Sequence, residues 1–361
     1  MLKVAFISRS TLFSSPGGDS TQLEMTAKCL RALGVTVDIY ISGQVVNYSE
    51  YNLLHFFNII RPADIITHID RTDTPFVVST IFVQYGEYEK KARKGIGGIV
   101  SNLLPENTIE YVKVIARRVL NGEKIGSYKY LLWGHKRSIQ YIARKAACLL
   151  PNSHNEYRRF AAMYNIERPY RFVPNGVDSN IVNKVYTPIA TYKGAVICMG
   201  RIEGRKNQLS LIRALKNTAL RLFIHGKPSP NNMAYFDLCK AEATENIHIS
   251  EWLQDEELYA VYSSAKVHCL PSYFETTGLS SLEAAVMGCN IVVTDKGDTN
   301  EYFEGYAWFC DPDDTASIRK AVEDAHKAPY NQSFREKILS DYTWEKAAAE
   351  TLIVYKQVLG L

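Results

Sequence analysis

From its third residue the chain alternates between two kinds of segment, and that alternation limits its fold more than any other feature. KVAFISR (residues 3–9) is a continuous apolar run closed by a loop, STQLEMTAKCLRALG (20–34) carries apolar residues at helical spacing and stops at Gly34, and VTVDIYI (35–41) returns to a strand. Strand, glycine loop, helix and strand in this order form a βαβ unit, whose crossover makes the two strands parallel. The pattern resumes at GAVICMG (194–200) and continues through NQLSLIRALK, LRLFIHG, MAYFDLCKAEA, IHI, EELYAVYSSA, VHCLPS and NIVVTD (290–295). Between the two arrays RFVPNGVDSN (171–180) reads as a linker, because Pro174 and the Asn175-Gly176 pair favour a turn. At 361 residues the chain exceeds what one hydrophobic core usually supports. The expectation is an α/β protein of two doubly wound, Rossmann-like domains facing a cleft, over residues 1–172 and 173–344. Ligands of such open sheets bind at the carboxyl ends of the strands, so the chemistry belongs on the loops that follow them.

The composition excludes several classes. Apolar residues make up 46% and charged residues 22%, the balance of a soluble globular protein. The seven cysteines form no C-x-x-C pair, which argues against a zinc site or a disulfide framework and fits a reducing cytoplasm. The N-terminus MLKVAFISRS has no signal-peptide pattern, and no run of eighteen apolar residues follows, so export and membrane spanning are not expected.

The net charge of +4 is unevenly spread: residues 89–145 hold thirteen Lys and Arg against four Glu. Between Lys90 and Lys145 the basic residues alternate with Leu, Ile, Tyr and Trp, a mixture suited to an anionic membrane surface at roughly 1 kcal/mol per cation. Ordinary helices with a solvated basic face give the same pattern. No nucleic-acid module accompanies it, so nucleic acid is not expected.

Three loops after strands carry candidate chemistry. In SSPGGDSTQ, Gly17 and Gly18 let backbone approach a phosphate or sugar, and Asp19 or Ser20 can cap the following helix; a plain turn is the alternative. The loop is not G-x-G-x-x-G, which disfavours a nicotinamide cofactor. In MGRIEGRKNQ, Arg201 and Lys206 precede a helix whose dipole opposes cations, so a bound diphosphate would explain them better than a solvated pair does. In SYFETTGLSSLEAAVMG, Glu275 stands on a loop, Thr277, Gly278 and Leu279 open a helix, and Glu283 lies inside it. A phosphate docked at that N-terminus would leave a carboxylate on either side to accept sugar hydroxyls. A helix-dipole residue and a surface charge are the alternative.

Together GRIEGRKNQLSLIRAL, LPSYFETTGLSSLEAAVMGC, VPNGVD and DYTWEKAA resemble the retaining GT-B glycosyltransferases of family 4, whose signature is E-x7-E. LPNSHNEYRRF and CDPDD resemble the branch that builds bacterial surface polysaccharides. The resemblance implies a donor diphosphate held by Arg201 and Lys206 with the amides of Gly278 and Leu279. It also implies a transferred sugar facing Glu275, a ribose on Glu283, and a base beside Trp252 and Leu253. Gly17, Gly18 and Asp19 would approach the donor from the N-terminal domain, which a helix at 345–361 would complete. The reaction implied is transfer of a hexose from a nucleotide-diphosphate sugar to a lipid-linked glycan, without cofactor or metal, at the inner face of the cytoplasmic membrane. One departure stands out: where many members carry a His, and others an Asp, this chain reads FVQYGEYE, with Val83 and Gln84 and no acidic residue before Glu87. That departure motivates the alternative of an inactive binding subunit; a phosphorylase or an epimerase would share the architecture.

Overall fold

The computed structural model describes residues 2–84, 107–112, 114 and 127–361. Most of the basic stretch between Lys90 and Lys145 lies outside these residues, as does Glu87. The chain divides into two compact units, residues 1–175 with 344–361, and residues 176–343.

Unit 1 is built from β1 (Lys3–Ser8), α1 (Gly18–Ala32), β2 (Thr36–Ile41), β3 (Leu53–Phe57), α2 (Pro62–Ile69), β4 (Phe76–Ser79), α3 (Tyr128–Lys145), β5 (Cys148–Leu150) and α4 (His154–Tyr164). Its strands are all parallel, in the order β2-β1-β3-β4-β5. LLHFF in β3 and FVVS in β4 are buried at every residue, as befits strands covered on both faces. His55 is the polar exception in β3. Its Nδ1 lies 2.6 Å from the Tyr355 hydroxyl and its Nε2 2.9 Å from Ser79 Oγ. Burial lowers its pKa to about 3, so the imidazole is neutral. Tyr355 belongs to the C-terminal helix Trp344–Leu359, which packs against α1.

Unit 2 contains β6 (Val196–Met199), α5 (Gln208–Leu215), β7 (Leu222–His225), α6 (Met233–Glu242), β8 (Ile247–Ser250), α7 (Asp255–Ser264), β9 (Val267–Leu270), α8 (Leu279–Val286), β10 (Asn290–Thr294), α9 (Thr299–Phe303), β11 (Trp308–Cys310), α10 (Thr315–Lys327) and α11 (Gln332–Asp341). The order of its parallel strands is β11-β10-β9-β6-β7-β8. Ile197, Val293, Leu282 and Tyr302 belong to one apolar cluster, and Val196, Ile224, Leu211 and Val322 to a second. The winding reverses between β6 and β9, so the loops leaving these neighbours open onto the crevice where doubly wound sheets hold ligands. Those loops are residues 200–207 and 271–278, which contain Arg201, Lys206, Glu275, Thr277 and Gly278.

All seven cysteines are free thiols and all but Cys148 are buried. Among the described residues no helix is long and apolar enough to cross a membrane, and no cluster of His, Cys, Asp and Glu could hold a metal ion.

Candidate active site at the β6 and β9 loops

Lys206 closes a single 3-10 turn, Gly204–Lys206, in the loop after β6. The next residue, Asn207, takes a left-handed backbone (φ 60°), and its side-chain amide donates to the carbonyls of Pro271 (3.1 Å) and Pro312 (2.8 Å). Tyr273 N–H donates to the Arg205 carbonyl at 2.9 Å. These bonds fasten the β6 loop to the loops after β9 and β11, and Lys206 Nζ meets Glu275 Oε1 at 2.6 Å, their side chains 15% and 9% exposed. Burial pushes the Glu275 carboxyl up, but the Lys206 ammonium and the Arg205 guanidinium outweigh it and hold the pKa below the usual carboxylate value. Arg201 is placed differently. Its side chain is 44% exposed and lies 3.8 Å from Glu203, which also pairs with the much more buried Arg205.

The backbone of Glu275 is gripped from the β10 side. Glu275 N–H donates to the Lys296 carbonyl (3.3 Å), and its own carbonyl accepts from Asp298 N–H (2.9 Å). Between them Gly297 has φ +89°, and a Cβ there would lie 2.1 Å from the Glu275 carbonyl oxygen. Only glycine fits that approach.

Helix α8 starts four residues after Glu275, on a left-handed Gly278 (φ 80°) whose carbonyl accepts from Ser281 (2.9 Å) and Leu282 (3.1 Å). Ahead of these two, the amides of Leu279 and Ser280 have no partner within the helix and can meet an anion. His268 of β9 lies beneath, fully buried, with Nδ1 3.3 Å from Ser281 Oγ; burial and the Lys206 charge lower its pKa to about 3. Further along α8, burial pushes the half-buried Glu283 up to about 7, against a hydrogen bond with Tyr262 that lowers it.

A folded-state pKa above the ordinary carboxylate value means that the native protein binds this proton more tightly than the unfolded chain. The resulting stability is full below the ordinary value and is lost as pH rises towards 7. We expect the melting temperature of the protein, measured relative to Glu283→Gln, to fall as the pH is raised through this window. Parallel curves for the two proteins would exclude it.

The remaining candidates are distributed as follows. Leu253 packs with Val261 and Tyr262 in the core, whereas Trp252, 45% exposed, presents its side chain to solvent. Gly17, Gly18 and Asp19 belong to unit 1. Gly17 is the extended N-cap of α1, and Ser20 Oγ accepts from Gly17 N–H at 3.2 Å. Asp19 is held by both oxygens on the Arg9 guanidinium, at 2.6 and 3.0 Å. Arg9 also donates to Thr11 and to the Ser15 carbonyl, so it ties the glycine loop together. Gln84 donates to Met163 Sδ at 3.6 Å.

Residues 184–339 match the family model described as "Glycosyl transferases group 1". An MMP alpha-(1->4)-mannosyltransferase of Mycolicibacterium hassiacum is 24% identical over 201 residues, covering 52% of this chain and 48% of that protein. A glycogen synthase of Bacillus cereus is 23% identical over 163 residues, covering 42% of this chain and 34% of that protein. The chain thus spans half or less of the length of these curated relatives. Among solved structures, sucrose-phosphate synthase from Thermosynechococcus elongatus superposes with a TM-score of 0.77 at 15% identity, covering 100% of both chains. Anabaena HepE, solved in complex with UDP and glucose, superposes with a TM-score of 0.70 at 13% identity over 99% of this chain and 100% of that one. Residues 184–339 are therefore similar to glycosyl transferases group 1, and the chain shares the two-domain parallel α/β fold of these GT-B structures.

Proposed function

We propose that this protein is a glycosyltransferase that moves a hexose, with retention and without a metal, from a nucleotide-diphosphate sugar to a hydroxyl of a growing lipid-linked surface glycan. The observation that carries this reading is the buried Lys206–Glu275 pair, 2.6 Å apart at the reversal point of the unit 2 sheet and followed directly by the N-terminus of α8. Lys206, Arg201 and the amides of Gly278 and Leu279 form a cationic seat for a diphosphate. As the bond from the sugar C1 to the phosphate oxygen breaks, its electron pair stays on that oxygen, and this fixed charge stabilises it without reorganisation. The acceptor oxygen bonds to C1 on the same face and passes its proton to the departing phosphate. Glu275 accepts hydroxyls of the transferred sugar, and Glu283, once ionised, accepts those of the ribose. Trp252 and the backbone of Leu253 flank the base, and unit 1 receives the acceptor at the carboxyl edge of its own sheet.

The membrane part of the reading is supported by α3. It exposes Tyr128 and Leu132 at 84% and 82% and carries Lys129, Lys136, Arg137, Arg144 and Lys145 without a single acidic residue. Retention on anionic vesicles at low salt tests that part; protein left in the supernatant refutes it.

Thermal shifts against UDP, GDP, dTDP and ADP sugars test the donor site. One nucleotide class should stabilise the protein by about 2.7 kcal/mol at a hundredfold excess over Kd. The gain should shrink in Arg201→Ala, whose exposed side chain can be removed without a folding cost. No shift with any of them would refute the donor reading. Binding without turnover would leave a binding subunit, which the Val83-Gln84 segment favours.

A further inference from the structure

At the carboxyl edge of the unit 1 sheet a single buried carboxylate holds three segments together. Ser153 and Glu156 have the S-x-x-E spacing of a capping box, and Ser153 Oγ does accept from Glu156 N–H at 2.7 Å. The Glu156 carboxylate, fully buried, turns away to the neighbouring loops. Oε2 accepts from Asn152 N–H at 2.8 Å, and Oε1 accepts both the Thr80 hydroxyl and, at 2.8 Å, Phe82 N–H. Asn152 then exchanges two amide hydrogen bonds with Gln22 of α1, at 2.8 and 3.1 Å. One continuous polar path thus runs from α1 through the loop after β5 to the loop after β4.

Oε1 spans Ile81, gripping the residue on either side of it. Ile81 has φ +44°, a left-handed conformation that a β-branched residue almost never adopts. Such strain persists only where the surroundings over-determine it, and it gathers at binding and catalytic sites. A carboxylate buried merely to fill space would be costly beside an apolar side chain. Here it is spent on a strained turn that leads into Phe82, Val83 and Gln84, on the edge where open α/β sheets hold ligands.

We propose that Glu156 is the positioning residue of the acceptor-binding edge: its carboxylate imposes the turn at Ile81 and so places residues 82–84 and the first turns of α1. The functional half of this rests on the glycosyltransferase reading; the structural half does not.

In Glu156→Gln the amide nitrogen must face either the Asn152 N–H or the Phe82 N–H, so the side chain can no longer hold the loop after β5 and the turn at Ile81 together. Hydrogen–deuterium exchange of residues 80–84 should accelerate about tenfold or more, while β1, β3 and unit 2 keep wild-type protection. Adding Ile81→Gly, or Ile81→Asn, should restore much of that protection, because either residue accepts the left-handed turn without the grip. With UDP-glucose and water as acceptor, Glu156→Gln should lower kcat about tenfold at unchanged KM, and the second substitution should recover it. Unchanged exchange at 80–84, acceleration spread evenly through unit 1, or no rescue would each overturn the proposal. If the wild-type protein hydrolyses no UDP-glucose, the kinetic arm counts against the transferase reading with that donor, and exchange and rescue alone decide the role of Glu156.

Discussion

Lys206→Ala should be among the most damaging single substitutions in unit 2, costing about 3–5 kcal/mol, because it leaves the Glu275 carboxylate buried without its partner. The cost comes from the stranded charge more than from a lost attraction, so Lys206→Met should fare little better. Lys206→Ala combined with Glu275→Ala should be milder than the sum of the two single changes. Urea unfolding of the four proteins measures this coupling; a loss under about 1 kcal/mol for Lys206→Ala would remove the basis for calling the pair buried and interdependent. The pH dependence follows from the same pair. The lowered pKa of Glu275 contributes stability that is present above the ordinary carboxylate value and lost as pH falls through the folded-state value. Without Lys206, burial dominates and the pKa rises, so the variant should become less stable on raising the pH towards neutrality. In the proposed reaction Lys206 also faces the leaving phosphate, so turnover should drop about 10²–10³-fold or more beyond the effect of unfolding.

Gly297→Ala should rank next. The new Cβ would stand 2.1 Å from the Glu275 carbonyl oxygen, and φ +89° is already unfavourable for any residue with a side chain. Relief requires the β10 loop to retreat from the β9 loop, breaking the two backbone hydrogen bonds that bracket Glu275. A loss of about 3 kcal/mol is expected. If Glu275 faces the transferred sugar as proposed, activity should fall further, by about 10², because a displacement near 1 Å at the reacting centre is enough for that. Gly305→Ala is the control: its φ is +80° but nothing lies within 4 Å of the added Cβ, so only the conformational cost of about 1 kcal/mol remains. Equal effects at the two glycines would show that close approach to Glu275 is not what Gly297 provides.

These two residues also mark where the sequence becomes unreadable. Parallel sheets announce themselves locally, since a strand covered on both faces must be apolar throughout, as in LLHFF and FVVS. Lys206 and Glu275 were legible as residue types on loops after strands, although their contact spans 69 residues and depends on which strands are neighbours. Gly297 was not legible, because its requirement is imposed by backbone from another loop and looks in sequence like any turn glycine. The motif spacing singles out Arg201, but nothing periodic tells which arginine of an irregular loop turns inward; the structure buries Arg205 and leaves Arg201 half in solvent. Arg9 escaped for the same reason, its partners lying within ten residues on a loop without regular spacing.

The C-terminal helix has a consequence for the order of assembly. Its cover over α1, and the Tyr355 hydroxyl that satisfies His55, are encoded after unit 2 although they complete unit 1. At roughly 5–20 residues per second of synthesis, the N-terminal sheet waits on the order of ten seconds or more for its last element. During that time an apolar helix face and a buried imidazole site stand open to water, and to any chaperone that binds exposed apolar surface.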